Sequence, residues 1–185
     1  MTAPAPEVKF PPWIGGAYKE GYRNRKLLIL GESAYQVPGS TLVPNYVTLL
    51  IKEEKSFYRK VYRSVSDGTK EDFITFWSAV AFYNFVQESV GTGPRQRPSR
   101  EMWVRSEVPF RLVLGELEPD RVLVLGQMLW CKLWALGLMA PAELGAKDFF
   151  LSCDGKKIKT MCIRHPASWG FKPTDWRKVV AKLLE

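Results

Sequence analysis

The residues best suited to chemistry lie in short polar loops that follow apolar runs. His165 is the only histidine in the chain. It sits in IRHPASWGF at 163–171, directly after the apolar run KTMCI at 159–163. An imidazole in such a loop can exchange a proton or a hydrogen bond near neutral pH. A histidine before proline can equally be a satisfied loop residue. Near the other end of the chain, GESAY at 31–35 follows KLLIL at 26–30 and sets a carboxylate, Glu32, beside a hydroxyl, Ser33. Asn84 closes a run otherwise made of Ala, Val, Phe and Tyr. An amide is unfavourable in a strand and costly to bury without partners, although asparagine also caps turns at strand ends. Gly126 and Gln127 end a third run, RVLVL at 121–125.

Parallel strands deliver their C-terminal loops to one edge of a sheet, which is where open α/β folds bind ligands. The pattern along the chain predicts such a sheet. Strands are expected at 26–30, 79–86, 121–125 and 159–163. The runs FFLSC at 149–153 and KTMCI flank an Asp-Gly pair that reads as a hairpin turn. Helical spacing recurs up to about residue 66, at 72–77, along 101–117, at 128–136 and at 175–185. Four prolines within residues 1–20 mark an extended arm. The expectation is one α/β domain over 1–185, with three layers and a mostly parallel four-stranded sheet flanked by helices.

Composition narrows the function. Three cysteines, Cys131, Cys153 and Cys162, have no CxxC spacing and read as buried free thiols rather than disulfide or zinc ligands. They are too few for an iron–sulfur cluster, and a single histidine argues against a catalytic metal. No cofactor is expected. Lys and Arg number 27 against 19 Asp and Glu, a net charge of +8. That balance favours a polyanionic partner, nucleic acid first, or serves solubility alone. Apolar runs are too short for a membrane span and the first residues do not resemble a signal peptide, so a cytoplasmic monomer is expected, without membrane contact.

Ser33, after a strand and upstream of His165, invites comparison with the GxSxG elbow of α/β-hydrolases, with Asp148 or Asp154 as the third member. The fifth position is Tyr35, however, where the elbow requires a small residue.

Taken in order, the four loops resemble the uracil-DNA glycosylase superfamily, and its uncharacterised bacterial members more than its well-studied branches. GESAY at 31–35 is similar to the GQDPY, GINPG or GEAPG first motif. FYN at 82–84 is similar to the strand ending in a base-reading asparagine, VLVLG at 122–126 to the LxLG strand, and HPASW at 165–169 to the HPS motif with its intercalating residue. The resemblance spans about 26–171. It implies a glycosylase of DNA base-excision repair, acting on single- or double-stranded DNA and hydrolysing the N-glycosidic bond of a flipped deaminated base such as uracil. It also implies the site. His165 would donate to the departing base, Asn84 would read its polar edge, Tyr35 would exclude thymine, and Tyr46 would stack on the base. Trp169 would wedge into the duplex, with Ser168 beside it. Glu32 or Ser33 would handle water. Arg95, Arg97 and Arg100, which no family motif covers, are candidate phosphate contacts on residue type alone. Ser33 replaces the aspartate or asparagine of other branches, Ala34 replaces proline, and Ala167 replaces the serine of HPS. The alternative implied by Ser33 is a module of the same fold that binds nucleic acid or a nucleobase without turnover.

Overall fold

The computed structural model describes residues 8–34, 51–66, 68, 71–91, 96–143 and 148–185. Four apolar runs form the central strands: β2 (Leu27–Gly31), β3 (Val80–Asn84), β4 (Arg121–Leu125) and β7 (Lys156–Ile163). They are hydrogen-bonded in the parallel order β3-β2-β4-β7. Leu27 to Leu30, Val80, Ala81 and Val122 to Leu125 are almost wholly buried, as expected for strands covered on both faces.

The sheet is larger and more mixed than the sequence suggests. Among the described residues it has seven strands, because β1 (Trp13–Ile14) adds antiparallel to β3, and β5 (Met139–Pro141) and β6 (Phe149–Cys153) extend the β7 edge antiparallel. The expected four-stranded count is therefore corrected to seven. Two or three residues carry no readable period-two pattern, so β1 and β5 left no signal. The Asp-Gly hairpin formed as expected, with Asp154 at φ +48° and Gly155 at φ +76°. The N-terminal arm is only partly extended: residues 13–14 pair with β3, and 16–20 fold into turns.

Side chains alternate between two cores. Leu28, Leu30, Tyr83, Val122 and Val124 pack under α3 (Arg100–Arg105), α4 (Glu107–Leu117) and α5 (Gln127–Ala135). Leu27, Ile29, Phe82, Leu123 and Ile163 face α1 (Ser56–Val65), α2 (Phe73–Ser78) and α6 (Arg177–Leu184). The result is helix, sheet, helix, the three layers expected of α/β folds. No helix among the described residues is long and apolar enough to cross a membrane.

Capping residues explain the helix ends. The Asp72 carboxylate accepts from Thr75 N at 2.8 Å, and Ser99 Oγ accepts from Met102 N at 3.3 Å. The single helix expected over 101–117 is two. The break falls at Ser106, whose hydroxyl donates to Met102 O at 2.7 Å and accepts from Gln87 N at 3.2 Å. Pro109 then sits in the first turn of α4, where its missing N–H is no loss. The C-terminal carbonyls of α6 are held by cations from the sheet: Arg121 Nε donates to Leu183 O and Lys159 Nζ to Lys182 O, both at 2.6 Å.

Candidate functional site

From β2 the chain steps to β3 on one side, then to β4 on the other. The connections leaving the C-terminal ends of β2 and β4 therefore diverge, and a crevice opens between them. The chemistry-bearing loops meet there. Gly31 lies opposite Asn84 in the β2–β3 register. A β-carbon on residue 31 would collide with Asn84 Oδ1 and meet the Phe82 ring at 3.2 Å. Glycine at 31 is thus the condition for Asn84 to lay its amide across the end of β2. That amide makes no hydrogen bond among the described residues, whereas the backbone of Asn84 is held by Gln87 Nε2 at 2.9 Å. Gln87 is buried, and its Oε1 accepts from Phe10 N at 2.9 Å.

His165 follows β7 and leans over the end of β4. Gly126, at φ +112°, lies so close that a β-carbon there would meet His165 Cβ at 3.3 Å. The loop turns back on itself, with Ser168 N donating to His165 O at 2.9 Å. Helix α1 closes over it: the Phe57 ring lies 5.6 Å from the imidazole at a 40° tilt, and Lys60 Nζ donates to Pro166 O at 3.1 Å. Phe57 also meets Phe82 edge-on at 6.3 Å, tying the histidine loop to β3. Burial, and then the charge of Arg97, hold His165 below its usual pKa, so the ring is kept neutral. Ala167 N donates to Nδ1 at 3.2 Å. An acceptor at Nδ1 puts the remaining proton on Nε2, which makes no hydrogen bond among the described residues.

Glu32 leaves β2 with its side chain only 13% exposed, and Arg97 Nη1 reaches its two carboxylate oxygens at 3.1 and 3.4 Å. Arg97 itself stays 66% exposed while one of its nitrogens is engaged by Glu32. Ser33 follows Glu32, half-buried. Arg100 is exposed at the first position of α3. Trp169 is 94% exposed at the tip of the histidine loop, between half-buried Ser168 and Gly170 at φ +70°. Tyr35, Tyr46 and Arg95 lie outside the described residues.

The structure therefore brings Glu32, Asn84, Arg97 and His165 to one edge and sets Trp169 at its rim. Sequence reasoning missed Phe57, Lys60 and Gln87. Phe57 and Lys60 resemble ordinary members of an amphipathic helix, whereas a glutamine after FV at 85–86 was a readable oddity. The hydrolase triad does not assemble with Asp154, which precedes β7 while His165 follows it. Eight strand residues, roughly 26 Å, separate the two. Cys153 is buried as expected, but Cys131 is exposed. Among the described residues no cluster of three or more His, Cys, Asp or Glu could hold a metal. No protein-family model matches the chain, and no curated protein matches its sequence.

The edge can thus offer a neutral hydrogen-bond donor, an amide carrying both a donor and an acceptor, and a carboxylate paired with a guanidinium. An exposed indole stands beside them.

Proposed function

We propose that the protein is a monofunctional DNA glycosylase of the uracil-DNA glycosylase type, hydrolysing the N-glycosidic bond of a flipped, deaminated base. One observation carries the reading: the Asn84 amide and His165 Nε2 have no hydrogen-bond partner among the described residues and lie at the same sheet edge, each beside a glycine whose missing side chain leaves it room. The ends of β3 and β4 are two strand spacings apart, about 10 Å. A pyrimidine held by a hydrogen bond of about 2.9 Å at each edge spans a similar distance.

In this reading the Asn84 amide pairs with the polar edge of the base, offering N–H to a carbonyl and C=O to a ring N–H, a pattern that suits uracil and rejects cytosine. As the bond from C1′ to the base breaks, its electron pair moves onto the base and negative charge grows on O2. Neutral His165 donates Nε2–H to that oxygen, the more effectively because the site is shielded from water. The deoxyribose carries the complementary positive charge, offset by the DNA phosphates. Water then adds to C1′ and gives its proton to Glu32 or, less effectively, through Ser33. Trp169 can fill the gap left in the stack, and Arg100 can meet a phosphate. DNA is the partner, and no cofactor is required.

The test is release of free uracil from single- and double-stranded uracil DNA by the purified protein, abolished in His165→Ala and Asn84→Asp. A second reading, a module that binds nucleic acid or a nucleobase without turnover, is favoured by Ser33 at the water-handling position. Tight, salt-dependent binding with no abasic product would support it instead.

A further inference from the structure

We propose that Arg97 is a positioning residue of the site, holding the Glu32 carboxylate in place and keeping a cation within reach of His165, rather than a contact to the DNA backbone. The chemistry of this inference rests on the glycosylase reading; the placement does not.

Three observations carry it. Arg97 spends one guanidinium nitrogen on both oxygens of a carboxylate that is nearly enclosed, Glu32 being 13% exposed against 66% for Arg97. A carboxylate so placed is costly to leave unpaired. The approach is anchored, since Arg97 lies two residues before Ser99, whose hydroxyl caps α3 through Met102 N. The guanidinium is also close enough to act on the imidazole, helping to keep it uncharged. Among the described residues, the other charged groups near this loop are spoken for or turned away: Lys60 is committed to the carbonyl of Pro166, Arg164 on the preceding residue is exposed, and Glu32 is paired.

This arrangement solves a problem in the proposed reaction. Glu32 and a departing anionic base would repel each other if both stood in one crevice. A cation paired with Glu32 offsets that repulsion while leaving the histidine neutral and able to donate. Arg100, exposed on α3, remains free for phosphate.

The test begins in DNA-free protein, where His165 gives the only imidazole NMR signal. In Arg97→Gln its titration should move up in pH by a few tenths of a unit, without reaching the value of an exposed histidine, because burial persists. Arg97→Lys should leave it low. An unmoved titration in Arg97→Gln overturns the proposal, whatever the protein does to DNA. The second arm is single-turnover uracil release at saturating DNA. Arg97→Gln should slow it about tenfold or more, with affinity and its salt dependence unchanged. An unchanged rate with a salt slope reduced by about one would mark a phosphate contact and overturn the proposal. Wild-type protein that releases no uracil would sink the glycosylase reading and leave the titration to decide the placement of Arg97.

Discussion

The two ends of the parallel strands treat their polar groups in opposite ways. At the N-terminal ends, donors and acceptors are spent on one another. Asp120 Oδ2 accepts from Lys26 N at 2.9 Å, Lys26 Nζ reaches Glu118 at 3.5 Å, Tyr18 OH donates to Leu117 O at 3.3 Å, and Arg121 holds α6. A cavity of about 670 Å³ opens there, but Tyr18, Lys26, Leu117, Glu118 and Asp120 from these same contacts line it. At the C-terminal ends, the Asn84 amide and His165 Nε2 make no hydrogen bond among the described residues, and Trp169, 94% exposed, stands beside them. Unspent polar groups cost stability unless a ligand meets them. The contrast teaches that cavity volume and open hydrogen-bonding groups point to opposite edges of the sheet.

The comparison can be broken or sharpened by experiment. The largest expected effect is on turnover: His165→Ala should cut uracil release by about 10²- to 10³-fold while the melting temperature stays within a degree or two. A variant that melts far earlier would make His165 a structural residue. Conversely, Asp120→Ala should lower unfolding stability by about 1–3 kcal/mol and leave activity per folded molecule intact, read by denaturant melts beside the uracil assay. Trp169→Ala should weaken binding to uracil duplex about tenfold, with stability shifted by less than about 0.5 kcal/mol.

Acid should expose the His165 edge in a defined window. Its folded pKa lies below the usual 6.5, through burial and then Arg97. The unfolded chain therefore binds a proton near pH 6.5 while the folded chain stays neutral. Stability falls as the pH drops from about 6.5 toward the folded value, and the loss is complete below it. Chemical denaturation at pH 7 and pH 5 should show a smaller difference in His165→Gln than in the wild type. The smallest effect concerns Tyr83, one residue before Asn84 but turned into the core, with a buried hydroxyl that has no hydrogen-bond partner among the described residues. Tyr83→Phe should be neutral or stabilising by about 1 kcal/mol and leave uracil release unchanged.

Much of this contrast was legible in advance and some was not. The four central strands and the loops carrying Glu32, Asn84 and His165 stand out because an apolar run ended by polar residues is a local signal. The two- and three-residue strands β1 and β5 are not local in that sense: their pairing comes from neighbours already in the sheet. The break at Ser106 was hidden by continuous helical spacing on both sides. The direction of Arg97 was illegible for a different reason. Its partner Glu32 lies 65 residues away, and which loops face each other depends on strand order.

The sequence by itself determined the layered α/β class, the central strands and the chemical character of the groups at their ends, because apolar run length and polar punctuation act over a few residues. Tertiary structure alone decided the seven-strand order, the closing of Phe57 and Lys60 over the histidine loop, the placement of the free imidazole proton on Nε2, and the pairing of Arg97 with Glu32. Each depends on contacts between segments far apart in the chain, where packing and charge compensation outweigh local preference.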